Sequence, residues 1–146
     1  MPRSDYGVGA APQGVHSADL DLDGDMDLAV ANNGSNTLSI LLNDGNGVFE
    51  NGSSPRVYSA PRSIHSADLD GDGDLDLVAT NTYSSYKIIS VLLNNGDATF
   101  SPRIDYATGS GPYSIYCSDL NSDGAIDIAV ANYASNNVSV LLNKGD

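Results

Sequence analysis

The sequence predicts an all-β fold, a β-propeller segment built from four-stranded blades of about 50 residues, three to the chain. Three observations predict it. An aspartate-rich stretch occurs three times: HSADLDLDGDMDLAVAN from His16, HSADLDGDGDLDLVATN from His65 and YCSDLNSDGAIDIAVAN from Tyr116. Other blocks recur in step with it: TLSILLNDG, IISVLLNNG and NVSVLLNKG downstream, and Pro12, Pro61 and Pro112 upstream, each seven residues before the first aspartate. No segment keeps a sustained 3.6-residue apolar period, so helices are expected to be few.

Each blade is read from its inner strand outward. QGVH, RSIH and YSIY, just before the aspartates, are short inner strands. DLAVAN (Asp27 to Asn32) alternates Leu28 and Val30 with Ala29 and Ala31. That pattern suits a strand buried on both faces, with one face packed very closely. NGSN is a hairpin turn into TLSILLN (Thr37 to Asn43), and DGNG is the next turn. The outer strand is expected in SPRVYSA or SPRIDYATG. The chain is thus one propeller segment, residues 1–146, with repeats over about 8–50, 51–107 and 108–146.

The register of the repeats carries an expectation about assembly. PRSDYG at the start matches Pro102 to Tyr106, an outer-strand segment, and LLNKGD at the end stops where the next outer strand would begin. Residues 2–7 are therefore expected to form a spare N-terminal strand, and the third blade to lack its own. Three blades fall below the smallest propellers, which have about four. The expected solution is a homodimer of six blades closed by exchange of the N-terminal strands; the alternative is that the chain is a segment of a longer propeller.

The chain has 146 residues, enough for a core, and its apolar content of 40% is ordinary. It carries 6 basic residues against 19 acidic ones, a net charge of −13. That balance excludes a nucleic-acid partner and disfavours an anionic membrane surface. No apolar run is long enough for membrane insertion as a helix. Cys117 is the single cysteine, so no internal disulfide forms. The N-terminus lacks the charged and apolar regions of a signal peptide.

The aspartates need a partner. Numbered from the first one, carboxylates fall at positions 1, 3, 5 and 9, with glycine at 6. The first loop is Asp19, Asp21, Asp23, Gly24, Asp27; the second is Asp68, Asp70, Asp72, Gly73, Asp76; the third is Asp119, Asn121, Asp123, Gly124, Asp127. Alternate side chains converge if the chain curls, glycine permits the sharp turn, and the backbone carbonyl of position 7 (Asp25, Asp74, Ala125) completes a cage of hard oxygens. Such a cage suits Ca²⁺, which takes 6–8 oxygens, better than Mg²⁺, which demands strict octahedral geometry. Without an ion, two carboxylates at about 4 Å repel by ~4 kcal/mol at an effective dielectric near 20. Three Ca²⁺ per chain would reduce the net charge from −13 to −7. The third site, with Asn121 and Ala125 in place of acids, is expected to bind more weakly. An EF-hand or dockerin loop shares the opening pattern but closes with an acid at position 12. Here that position is Val30, Ala79 or Val130, inside a strand.

The pattern D-x-D-x-D-G-x-x-D-L/I, followed by AVAN and VSVLLN, resembles the FG-GAP and VCBS repeats over essentially the whole chain. The phenylalanine-glycine pair that names the family is reduced to Phe49 and Phe100, and the bacterial VCBS type is the closer likeness. The resemblance implies the propeller of integrin α-subunits and of many bacterial surface and secreted proteins, with calcium in the loop between the first and second strands of a blade. It also implies a secreted or cell-surface setting and a non-enzymatic role in adhesion or protein interaction. The alternative is a lectin with glycan sites between blades. His16 and His65 recur at one strand position, taken by Tyr116 in the third repeat, which marks a structural role. Cys117 stands where Ser17 and Ser66 stand, so it reads as a small inner-strand residue. Tyr83, Tyr86, Tyr113 and Tyr133 fall in or near turns and read as blade-edge residues.

Overall fold

A computed structural model describes residues 3–83 and 87–145. Tyr86 lies outside the described residues. Eleven strands form among them: β1 (Pro12–Ala18), β2 (Asp27–Asn32), β3 (Thr37–Asn43), β4 (Phe49–Asn51), β5 (Pro61–Ala67), β6 (Asp76–Asn81), β7 (Ile88–Leu92), β8 (Ile104–Ala107), β9 (Pro112–Ser118), β10 (Asp127–Asn132) and β11 (Asn137–Leu141). No helix forms among the described residues.

The strands make three antiparallel sheets in sequence order, β1-β2-β3-β4, β5-β6-β7-β8 and β9-β10-β11. Each inner strand pairs with its second strand from the same aspartate: Ala18 faces Asp27, Ala67 faces Asp76 and Ser118 faces Asp127. Each also opens on a proline, and the register slips just beyond it in all three sheets. A residue without an N–H is tolerated at the first position of a strand, where a ladder bond can be missing.

The outer strand of the first sheet departs from expectation. It is β4, Phe49–Asn51, set upstream of SPRVYSA. Residues 53–57 still follow β3, through Ile40 N to Ser53 O, Leu38 N to Pro55 O and Val57 N to Asn36 O, but only Arg56 completes a bridge, to Thr37. The reason lies in Gly52, whose N–H bonds Ile40 O while Ile40 N bonds Ser53 O: two successive residues pair with one, and the regular ladder breaks. In the second sheet the outer strand is β8, inside SPRIDYATG as expected. The third sheet has no fourth strand among the described residues, and residues 3–8 are not paired as a strand.

Two apolar seams hold the sheets face to face. Ala29, Ala31, Leu38 and Ile40 of the first sheet pack on Ile64, Leu77, Ala79 and Leu92 of the second. Val78, Ile89 and Val91, on the second sheet's opposite face, pack on Ile115, Cys117, Ile128 and Val130 of the third. This is why the second strands are apolar on both sides: β6 is a middle strand of the middle sheet and is buried throughout. Truncating Leu77 to alanine leaves a cavity in the first seam. The expected loss in urea unfolding is about 2–5 kcal/mol.

Candidate metal centre

Each aspartate loop joins an inner strand to a second strand. Position 6 lies in the left-handed region in all three copies, Gly24 (φ 93°), Gly73 (φ 99°) and Gly124 (φ 91°). Only glycine adopts that conformation without strain. Position 4 is left-handed as well, and there only the second loop has glycine: Leu22, Gly71 and Ser122 have φ of 63°, 81° and 65°. The sequence pattern marks position 6 by its repeated glycine and leaves position 4 unmarked.

These turns direct amides onto the carboxylates. The position-6 N–H donates to position 1, from Gly24 to Asp19 Oδ2 (3.1 Å), Gly73 to Asp68 Oδ2 (3.1 Å) and Gly124 to Asp119 Oδ2 (3.0 Å). The position-7 N–H donates to the position-5 carboxylate, Asp23, Asp72 or Asp123, at 2.9–3.0 Å. Position 9 is fully buried. Asp27 accepts from Leu20 N (3.0 Å) and Asn43 N (2.9 Å), Asp76 from Leu69 N (2.9 Å) and Asn94 N (2.8 Å), and Asp127 from Leu120 N (2.9 Å) and Asn143 N (2.8 Å).

The acids at positions 1, 3 and 9 converge. Asp19, Asp21 and Asp27 each present an oxygen within 4.8 Å of the others, and so do Asp68, Asp70 and Asp76. These two triads could hold a metal ion. In the first, Asp19 Oδ1 is buried without a hydrogen-bond partner, an acceptor left open to a cation. The acids at positions 5 and 7 stand outside the triads. Asp25 and Asp74 turn their carboxylates toward Gly45 and Gly96 in the following turn, which leaves position 7 only its carbonyl to offer. The third loop pairs its own groups. Asn121 Nδ2 donates to Asp123 Oδ2 at 2.8 Å, and Asp119 Oδ1 accepts from Ser122 N and Asp123 N.

The electrostatics follow the crowding. Burial, then the neighbouring carboxylates Asp70 and Asp72, pushes the Asp76 carboxyl up to about 6 against the hydrogen bonds from Asn94 and Leu69. Asp21 is raised by burial and by Asp27, Asp23 and Asp19, and Asp74 by burial and by Asp72, Asp70 and Asp68. Each shift opposes the charged form, which a bound cation would favour.

The recurring asparagine of LLN is a structural residue that the sequence reading did not single out. Asn94 Nδ2 reaches Leu20 O (2.8 Å), so the second sheet is tied to the first loop; Asn143 Nδ2 reaches Leu69 O (2.7 Å) in the same way. Its presence at one position in every repeat was the available signal. Elsewhere the inner strands bring His16, His65 and Tyr116 into a column, with ring centroids 5.0 and 5.2 Å apart, and His16 Nε2 lies 2.9 Å from Ser66 Oγ. Cys117 is buried and its thiol is pushed up to about 12, which keeps it protonated and unreactive. Tyr113 lies in β9, where its ring faces Tyr133 at 5.8 Å and the Arg62 guanidinium at 3.8 Å. Between the second and third sheets a groove of about 570 Å³ is lined by Leu69, Asp70, Tyr106, Ile126, Leu141 and Asn143, among others.

A family model described as an FG-GAP-like repeat matches residues 19–79 and again residues 68–130. No curated protein matches the chain. Among solved structures it is similar to an Agrocybe aegerita lectin, reported for specific recognition of non-reducing terminal N-acetylglucosamine. The two are 26% identical with a TM-score of 0.56, over 90% of this chain and 38% of the lectin chain. The chain therefore spans well under half of that protein.

Two outcomes follow from the loop geometry. In chelator, Asp76→Ala strands two buried amides and should lower stability by about 1–3 kcal/mol for each; Asp70→Ala removes a like charge and should leave stability unchanged or raised. Denaturant unfolding of both variants checks this contrast. A folded-state value near 6 against an ordinary 3.8 means that the protonated form of Asp76 favours the folded state. That contribution is complete below 3.8 and is lost as the pH rises through about 6. In chelator, wild type should therefore lose stability relative to Asp76→Asn between about pH 4 and pH 7.

Proposed function

Because the chain belongs to the FG-GAP-like repeat family, we propose that it is a calcium-stabilised, non-enzymatic propeller module for extracellular adhesion or protein interaction. The observation that carries the metal is the pair of acidic triads, with the orphaned Asp19 Oδ1 in the first. Asp19, Asp21 and Asp27 would hold one ion and Asp68, Asp70 and Asp76 a second, each joined by the carbonyl of position 7. Asp119, Asn121 and Asp127 would hold a third more weakly. Calcium is the ion of choice because the donors are all hard oxygens in an irregular loop. Bound there, it supplies positive charge that lets each loop close beside an apolar strand. Affinities of the extracellular class, about 10⁻⁴–10⁻³ M, would suit a protein working where calcium is millimolar.

A second reading is a glycan-binding module. It rests on the likeness to a lectin that recognises N-acetylglucosamine and on the groove between the second and third sheets. Tyr106, on the groove wall, offers a ring on which a sugar could stack. Both readings make the chain a binding module, in line with the family match and the lectin-like neighbour.

One experiment with two arms tests these readings. The melting temperature should rise with added Ca²⁺ and fall with chelator, because a ligand bound only to the folded state stabilises it by mass action. An unchanged melt, with no calcium found by elemental analysis, removes the metal. A glycan array probed in calcium then separates the two roles: terminal N-acetylglucosamine signals favour the lectin, and a blank array at high protein concentration favours the adhesion module.

A further inference from the structure

Two sheet faces lack the partner that the seams provide elsewhere. On the third sheet, Val138 and Val140 are 63% and 53% exposed, whereas Leu38 and Ile40, at the same positions of the first sheet, are 0% and 1% exposed. On the first sheet, Val15 is 66% exposed, whereas its equivalents Ile64 and Ile115 are 7% and 6% exposed. The face that the third sheet leaves open is thus the kind that the first sheet buries, and the first sheet's open face is the kind that the second and third bury. Each chain carries both halves of one more seam.

Residues 3–8 say what covers the edge of β11. In the second sheet, Arg103 pairs with Asp105 at 3.2 Å, and Asp105 Oδ1 accepts from the Ser90 hydroxyl at 2.7 Å, directly across the β7–β8 ladder. The N-terminal segment repeats this Arg-x-Asp-Tyr motif and the same local pair, Arg3 to Asp5 at 2.6 Å. On β11, Ser139 is the counterpart of Ser90. Its Oγ accepts from Asn132 Nδ2 (2.8 Å) and Gly109 N (2.9 Å), as Ser90 Oγ accepts from Asn81 Nδ2 (3.0 Å), but among the described residues its hydroxyl hydrogen reaches no acceptor. Among the described residues Ser39 also donates to none, and the outer segment facing it carries no such aspartate. The N-terminal segment is also in place to be shared. Tyr6 packs edge-on against Phe49 with centroids 5.4 Å apart, and its hydroxyl reaches Gly47 O, so residues 3–8 lie against the first sheet as an outer strand of a preceding blade would.

We propose that residues 3–8 of a second copy of this chain form the outer strand on β11, with Asp5 accepting the Ser139 hydroxyl, and that two copies close reciprocally. The β7–β8 ladder sets the register: Asp5 opposite Ser139, Tyr6 opposite Val138, and Ser4 opposite Val140. Two copies make six blades, the only multiple of three within the typical range of about four to eight for propellers. Twofold closure uses both open faces of each chain and leaves neither to extend a filament. This assembly does not depend on the metal or on the ligand.

Light scattering on the 146-residue chain should give twice 15.1 kDa. Asp5→Ala and Ser139→Ala should each weaken the dimer, roughly tenfold or more, and the double variant should be no weaker than the single ones. The register is tested by Ser4→Cys with Val140→Cys, both at exposed positions, where mild oxidation should trap a covalent dimer; the buried Cys117 does not compete. The pair Ser4→Cys with Asn137→Cys, three residues or about 10 Å out of register, should not cross-link. A monomer of 15.1 kDa, a trimer or larger assembly, or a dimer in which the out-of-register pair cross-links as well would overturn the proposal.

Discussion

A buried carboxylate at the head of each second strand organises this protein. Asp27, Asp76 and Asp127 accept one amide from the loop before them and one from the strand beyond, and so fix the loop, the second strand and the end of the third strand to one point. Losing such a clamp would leave two buried N–H groups unpaired, and buried amides are rarely left so. The same carboxylate closes the acidic triad. Structural anchor and candidate ligand are therefore one residue, and the charge needed for a cation comes at no distance from the charge needed for the fold. The tension shows in Asp76, which burial holds near 6 even though two amides favour its ionised form.

The seams extend this clamp from blade to blade. Asn94 and Asn143 each bond the carbonyl of the residue after the first aspartate of the preceding loop, Leu20 and Leu69, so a loop is braced by the next sheet as well as by its own. Ala98 N reinforces the first of these by donating to the same Leu20 carbonyl. Apolar packing and loop geometry are coupled in consequence. Ordering of a loop by a cation would stiffen the seam beside it, and loosening of a seam would open the loop. In a repeat protein whose units touch only their neighbours, such contacts carry most of the cooperativity.

A binding role agrees with this construction. The seams and clamps are the buried frame of the molecule, while Tyr83, Tyr106, Tyr113 and Tyr133 and the groove between the second and third sheets lie at the surface. The inner-strand column of His16, His65 and Tyr116 is a packing feature, with His16 held against Ser66 and its pKa lowered first by burial and then by His65. Loop variation over an invariant frame is how one fold serves different ligands. The likeness to a lectin at 26% identity fits such a division of labour.

The sequence by itself determined the repeat, the strand class and the loops in which acids are crowded together. Those features are local: a period-2 apolar pattern, a glycine forced by a left-handed turn, and carboxylates spaced to meet around a curl. Tertiary structure alone decided the rest, because it depends on neighbours that are distant in the chain. The β4 segment at Phe49–Asn51 was not legible, since Gly52 and Ser53 share the Ile40 residue only after β3 is in place. Nor was the role of Asn94, whose partner Leu20 lies 74 residues away. The turning of Asp25 away from Asp19, Asp21 and Asp27 likewise depends on where the next turn sits, with Gly45 placed to receive it. Spacing can bring like charges to one loop; only packing sorts which of them face inward.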